Sequence, residues 1–385
     1  PVESPLDAGD PDRVRGAAEA GGEVKIALYC PRYNHLKLLA PLAAELLRRG
    51  HAVRYWYPAK DVAGDKDDAW RDAFRLQLEG GAAAHFVDGR PVEIDALVTV
   101  GLRVPKVLRG TRWKRRFALG YHEEELIHAH EGWWTEGTEV LTWTEAHARR
   151  LEAICPGRKA HVVGFPELDQ LAGMDRAVCR AKHELPAGNI LLLMPAARPH
   201  LLRPRWAAWW YRTMPWALPW APGSWPGADR VPSYRAILEL IRAFADRHDC
   251  LIVAKTRAKH PRLPPGLADR VIGDVSFHPF TTLELMVAAD YAVGLAGGWA
   301  VEAEAAGIPH LDILAYPQEA YEHPVLLDFR RELYRDLWRG PHVFTRDGQR
   351  RLQEWVEMAW WPVRNSHRHD GKASSRAADV IEALT

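Results

Sequence analysis

Hydrophobic and polar positions follow two rhythms along this chain. "VKIALYC" (24–30) is short and continuously apolar, the pattern of a parallel strand buried on both faces. Leu38, Leu39, Leu42, Leu46 and Leu47 then recur at helical spacing, and Gly50 stands where that helix should end. "HAVRYWYP" reads as a second strand. Strand, helix and strand in this order form the unit of a doubly wound parallel sheet. The pattern goes on to predict a polar helix over 67–79 and a buried strand in "DALVTVG" (95–101). A strand running into a helix follows in "EVLTWTEAHARRLEAI". "HVVGFPELDQL" (161–171) reads as an exit from this region: a short strand, Gly-Phe-Pro, and an acidic turn.

The rhythm then restarts. "NILLLMPAA" (189–197) predicts a strand and "YRAILELIRAFADRH" an amphipathic helix. "CLIVAKT" predicts a strand, "TTLELMVAAD" a short helix, "YAVGLA" a strand and "AVEAEAAG" a helix. "KASSRAADVIEAL" closes the chain as a last helix. The expected organisation is a tail over 1–22, a Rossmann-like α/β domain over 23–165 and a linker over 166–186. A second Rossmann-like domain follows over 187–370, then the C-terminal helix over 371–385. The two parallel sheets are expected to face a common cleft.

At 385 residues, two domains are the ordinary expectation. A formal net charge of +1 argues against nucleic acid as the main partner, because dedicated binders carry a large basic excess. Four scattered cysteines, Cys30, Cys155, Cys179 and Cys250, show neither CxxC spacing nor a disulfide framework, which fits a reducing cytoplasm. No apolar run approaches the roughly 20 residues of a membrane span. The 17 tryptophans are unusual, and several fall in an insertion over 198–233. There Pro215, Pro219, Pro222 and Pro226 forbid one long helix. Trp206, Trp209 and Trp210 share a helical face beside Arg203, Arg205 and Arg212. That combination suits a membrane surface or an acceptor platform, or tryptophans packed on their own domain.

Four stretches carry candidate chemistry. In "YAVGLAGGWAVEAEAAGIP", Gly297 and Gly298 fall between a strand and a helix, where a close-approaching anion such as a diphosphate is accommodated. Glu302 lies one turn into that helix, placed for a ribose or sugar hydroxyl, while Glu304, two residues on, points elsewhere. In "AKTRAKHP", Lys255, Arg257 and Lys259 share one side of an extended segment after a buried strand. Their charge would balance a departing nucleotide phosphate. In "PRYNHLK", His35 sits where the first strand hands over to the first helix, the edge at which open α/β sheets bind ligands. It is a candidate base for an acceptor hydroxyl, with Arg32, Asn34 and Lys37 beside it; the alternative is that Asn34 and His35 only cap the helix. "RWKRRFALGYHEEELIHAHEGWW" (112–134) mixes histidines and glutamates without HExxH spacing. It is read as a solvated helix beside an acceptor groove, with His122 kept as an acceptor-binding candidate and no metal site.

These stretches together resemble one family. "EAEAAGIP" matches the Glu-Ala-x-x-x-Gly-x-Pro signature of GT-B glycosyltransferases through Glu302, Ala303, Gly307 and Pro309. "GFPELD" and "DGKASSR" resemble segments of the CDP-glycerol glycerophosphotransferase and surface-polysaccharide glycosyltransferase group. The resemblance implies a GT-B enzyme using a nucleotide-activated sugar, with no cofactor and no bound metal. It also implies that Lys259 and His260 belong to a Lys-x-His-Pro donor segment, that His278 and Phe280 lie near the nucleotide base, and that Glu302 contacts the donor. His35 matches the histidine base of inverting relatives. Gly294 stands where retaining members often carry a second glutamate, which points to the inverting branch. Gly297-Gly298 replaces the Ser-Ser of the glycerophosphotransferases, and Ala296-Gly297-Gly298 only partly matches the Ser-Gly-Gly of UDP-GlcNAc 2-epimerases. The implied partners are a nucleotide-sugar donor and a glycan or lipid-linked acceptor. The implied location is the cytoplasm, at the inner face of the membrane. A polyol-phosphate transferase and an epimerase on the same fold are the alternatives.

Overall fold

The structure is a computed structural model. It describes residues 24–30, 33–56, 85–87, 94–104, 108, 111–120, 124–195, 234–256, 263–273, 281–294, 299–312 and 370–385. The tail over 1–22, the helix expected over 67–79 and the insertion over 198–233 lie outside them. By its contacts the chain divides into two units. The first combines residues 1–169 with 370–385, and the second is 170–369.

The first unit is built on a seven-stranded sheet ordered β3-β2-β1-β4-β5-β6-β7. Its strands are β1 (Lys25–Tyr29), β2 (Ala52–Trp56), β3 (His85–Val87), β4 (Ile94–Val100), β5 (Trp113–Leu119), β6 (Thr138–Thr142) and β7 (Ala160–Val162). Every neighbouring pair is parallel. The helices are α1 (Tyr33–Arg48), α2 (Glu124–His130) and α3 (Glu145–Ile154). Of the expected apolar face of α1, Leu38, Leu39, Leu42 and Leu46 are buried and Leu47 is half-buried, and Leu36 is buried with them. Thr144 caps α3 by accepting from the His147 backbone N–H.

One stretch departs from the sequence reading. Residues 112–134 do not form a solvated helix. Their first part is β5, an interior strand whose Phe117, Ala118 and Leu119 are buried, and α2 begins only at Glu124. The basic "RWKRR" start hides the strand, because Lys114 and Arg115 are exposed while Arg116 is fully enclosed.

The second unit repeats the plan with five parallel strands ordered β10-β9-β8-β11-β12. They are β8 (Asn189–Met194), β9 (Cys250–Lys255), β10 (Arg270–Ile272), β11 (Tyr291–Gly294) and β12 (His310–Asp312). One face packs against α5 (Tyr234–Arg247) through Leu191, Leu193, Ile252 and Val293 with Leu238, Ile241 and Phe244. The other face packs Ile190, Leu192, Val253 and Ala292 against α6 (Thr281–Ala288) and α7 (Trp299–Ala305). Residues adjacent in sequence thus serve opposite layers, which explains why these strands read as unbroken apolar runs. Helix α4 (Arg176–Lys182) is clamped to this unit by charge. Lys182 and His183 hold Glu284 at 2.6 and 2.8 Å, and Arg176 and Arg180 hold Asp290. These partners draw the Glu284 carboxyl down to about 2 against the opposing effect of burial.

The C-terminal helix α8 (Ala373–Leu384) belongs to the first unit. Ala377, Ala378 and Ile381 are buried. Arg49, at the end of α1, reaches Asp379 and Glu382 at 2.7 Å and Ser375 Oγ at 2.8 Å. His51 meets the other oxygen of Glu382 at 2.7 Å. Among the described residues no helix is long and apolar enough to cross a membrane.

Candidate functional site

In each sheet the strand order reverses once, between β1 and β4 in the first unit and between β8 and β11 in the second. Side chains that follow the carboxyl ends of these strands are where a doubly wound sheet receives ligands. His35 lies there in the first unit, in the first turn of α1 just after β1, and it is buried. In the second unit Lys255 ends β9, and Glu302 lies in α7 shortly after β11; they are 2% and 4% exposed. Such burial is unusual for ionisable side chains, which are mostly exposed. The Lys255 ammonium donates to the Thr256 carbonyl at 3.2 Å. Asn34 is within α1, whereas Arg32, His122, Arg257, Lys259, His260, His278, Phe280, Gly297 and Gly298 lie outside the described residues.

The signature around Glu302 separates into parts. Ala303 is fully buried against the sheet. Gly307 ends α7 at φ +73°, a left-handed conformation that glycine adopts without cost, and the Ile308 N–H returns to the Ala303 carbonyl. The Pro309 carbonyl accepts from Ala292 and ties the following segment to β11. Three of the four signature residues therefore build the helix and its exit, which leaves Glu302 as the member with chemistry to offer. Glu304 is as deeply buried as Glu302, so burial does not separate the two. Its charge acts on His310, whose pKa is nevertheless lowered because burial outweighs the Ile308 carbonyl and Glu304.

At Gly294 a residue that sequence reading used only as an absence acquires a cause. A Cβ there would lie 2.2 Å from Cε2 and 2.4 Å from Nε1 of Trp299. The indole lies directly on the end of β11. A glycine followed five residues later by a tryptophan was the available signal, but only the fold shows that one makes room for the other.

Two motifs prove to hold the scaffold. Asp169 of "GFPELD" accepts from the backbone N–H groups of Ala373 and Ser374 at 2.9 and 2.6 Å, at the start of α8. Arg376 of "DGKASSR" grips Asp370 with one nitrogen at 2.9 and 2.7 Å, and its Nε donates to the Val163 carbonyl at 2.8 Å. Lys37, two residues after His35, pairs with Glu167 at 2.9 Å, and both are largely buried.

Arg116 and Glu125 were not singled out in sequence. The Arg116 guanidinium donates to Thr99 Oγ1 at 3.3 Å, to Thr138 Oγ1 at 3.4 Å and to the Gly101 and Leu102 carbonyls. All of these acceptors are neutral, and burial lowers its pKa to about 10, so it remains a cation at neutral pH. Glu125 of α2 brings Oε1 within 3.2 Å of where a Cβ of Gly101 would stand, at the end of β4. His147 is fully buried with Nδ1 2.6 Å from Thr142 Oγ1, and burial lowers its pKa to about 3. Among the described residues no group of three or more His, Cys, Asp or Glu is placed to hold a metal ion.

No protein-family model and no curated protein sequence matches the chain. Solved structures do. The wall teichoic acid polymerase TagF aligns over 93% of this chain and 88% of its own, at a TM-score of 0.52 and 12% identity. The UDP-GlcNAc 2-epimerase of Methanocaldococcus jannaschii aligns over 93% of this chain and 99% of its own, also at 0.52 and 12%. That of Rickettsia bellii aligns over 94% and 95%, at 0.51 and 12%. At such identities the likeness concerns the fold, which is the GT-B type: two Rossmann-like units, each with a parallel sheet.

Proposed function

We propose that the protein is a glycosyltransferase that moves a sugar from a nucleotide-activated donor to a glycan or lipid-linked acceptor. The observation that carries this reading is the burial of Lys255 and Glu302 at the carboxyl ends of β9 and β11, the two strands that flank β8 in the second sheet. The phosphates of a nucleoside diphosphate would lie against the Lys255 cation, and Glu302 would accept from a ribose or sugar hydroxyl. Release of the nucleotide builds negative charge on its terminal phosphate, and Lys255 would stabilise it. In the first unit His35 would take the proton of the acceptor hydroxyl as it attacks the anomeric carbon. We read the transfer as inverting and metal-independent. Gly294 leaves no carboxylate at that strand end, and the space of a side chain is taken by the Trp299 ring.

A second reading is supported by the similarity to TagF and to the two epimerases: a polyol-phosphate transferase or an epimerase on the same fold. One experiment separates them. The protein is incubated with UDP- and GDP-sugars and with CDP-glycerol, with and without glycan acceptors. Acceptor-dependent release of UDP or GDP supports the glycosyltransferase. Release of CMP supports polyol-phosphate transfer, and isomerisation of UDP-GlcNAc without acceptor supports the epimerase. A thermal-shift panel of nucleotides on wild type and Glu302→Ala tests the donor site. Stabilisation by one nucleotide that is unchanged in the variant would remove Glu302 from it.

A further inference from the structure

We propose that the indole N–H of Trp299 is a ligand-binding donor, set to meet a phosphate oxygen of a nucleoside diphosphate. The proposal rests on the donor reading above and adds a residue to it. Trp299 is 6% exposed, and among the described residues its Nε1 has no hydrogen-bond acceptor. A buried indole N–H ordinarily finds a partner. One left unpaired costs free energy that a phenyl ring of similar packing would not.

The position of the ring supplies the reason for a tryptophan. It rests on the Cα of Gly294, the last residue of β11, in the space a Cβ would need. Gly294 is in register with Met194 of β8, and Leu193 is in register with Ala254 of β9. Continued by one residue, that register sets Lys255 level with Met194 and Gly294. In-register residues of a parallel sheet face the same side. The side is that of Val253, two residues before Lys255, which shares a core cluster with Trp299 and Met194. Lys255, Met194 and the Trp299 indole thus form one row along the carboxyl ends of three adjacent strands. With strands about 4.8 Å apart, Lys255 and Gly294 are about 10 Å apart across the row. An N–H is a donor only, so its partner must accept, and a cation in the same row selects an anionic acceptor. Met194 between them adds no competing hydrogen bond of any strength.

The test is calorimetric titration of the full chain with UDP, CDP and GDP, on wild type, Trp299→Phe and Glu302→Ala. Trp299→Phe should leave the melting temperature of the unliganded protein unchanged or higher, because it removes an unpaired buried donor. It should weaken the preferred nucleotide about tenfold or more, the range for a lost hydrogen bond to a charged group. An unchanged affinity in Trp299→Phe beside a weakened one in Glu302→Ala would overturn this proposal and leave the donor reading standing. No binding of any nucleotide by the wild type would overturn both. A second measurement guards against a variant that fails to fold. In the 15N-tryptophan-labelled wild type, an exchange-protected indole N–H should move downfield on adding the nucleotide. If every protected indole resonance stays in place under saturation, the proposal is wrong.

Discussion

Removing the Asp169 carboxylate should release the C-terminal helix from the first unit. The first N–H groups of α8 have no partner within the helix. Lys372 precedes them and offers no side-chain cap. Asp169, 204 and 205 residues away in sequence, takes this role by accepting from Ala373 and Ser374. Loss of a helix cap costs about 0.5–2 kcal/mol, and loss of a negative charge at a helix start costs about 0.3–1 kcal/mol more. Asp169→Ala is therefore expected to destabilise α8 by about 2 kcal/mol. Asp169→Asn keeps an acceptor and should cost about half as much. Amide hydrogen exchange read by mass spectrometry is the direct assay. Peptides covering α8 should exchange about 30-fold faster in Asp169→Ala, the factor that corresponds to about 2 kcal/mol. Peptides from β8 and β9 should not change. If α8 keeps wild-type protection in both variants, the capping argument is wrong. If protection is kept while nucleotide binding disappears, Asp169 acts on ligand and not on the scaffold.

Two further outcomes follow from buried groups. His147 is held neutral in the fold, with its pKa lowered to about 3, whereas the unfolded chain protonates near 6.5. Below that value the unfolded state binds the extra proton, so stability falls from about pH 6.5 downward and stops falling near pH 3. At pH 5 the loss from this one group is about 2 kcal/mol, measurable as a drop in the urea midpoint between pH 7 and pH 5 that His147→Gln should largely abolish. Gly294→Ala places a methyl group 2.2 Å from the Trp299 ring and should cost about 1–3 kcal/mol in chemical denaturation. Combining it with Trp299→Leu should recover part of that cost, and strictly additive effects would show that the two residues are not in contact.

Much of the fold was legible because buried parallel strands and amphipathic helices leave strong patterns. β1, β4 and β9 lie within one residue of the apolar runs that marked them, and β8 begins where its run begins. β5 was missed because its first half is basic and its buried arginine looks like a surface residue until four oxygens are seen around it. β10 and β12, at three residues each, are too short to show a period. The candidate residues were legible only in part. His35, Lys255 and Glu302 could be picked as candidates because each lies at or shortly after a strand end, a relation visible in sequence. The clasp of Asp169 on α8 and the ring of Trp299 on Gly294 were not, because each depends on a contact that local pattern does not encode.

The clasp also sets an order of events. The first unit takes its first four strands from residues 25–100, yet Asp169 finds its partners in residues 373 and 374, and Arg49, which also holds Glu45, takes the rest of its partners from α8. At synthesis rates of about 5–20 residues per second, the roughly 200 residues separating Asp169 from α8 take about 10–40 s to make. Throughout that interval the surface of α1 that later receives α8 stands uncovered, with Arg49 lacking those partners. Of the two units, the one whose strands are made earlier is the one completed later.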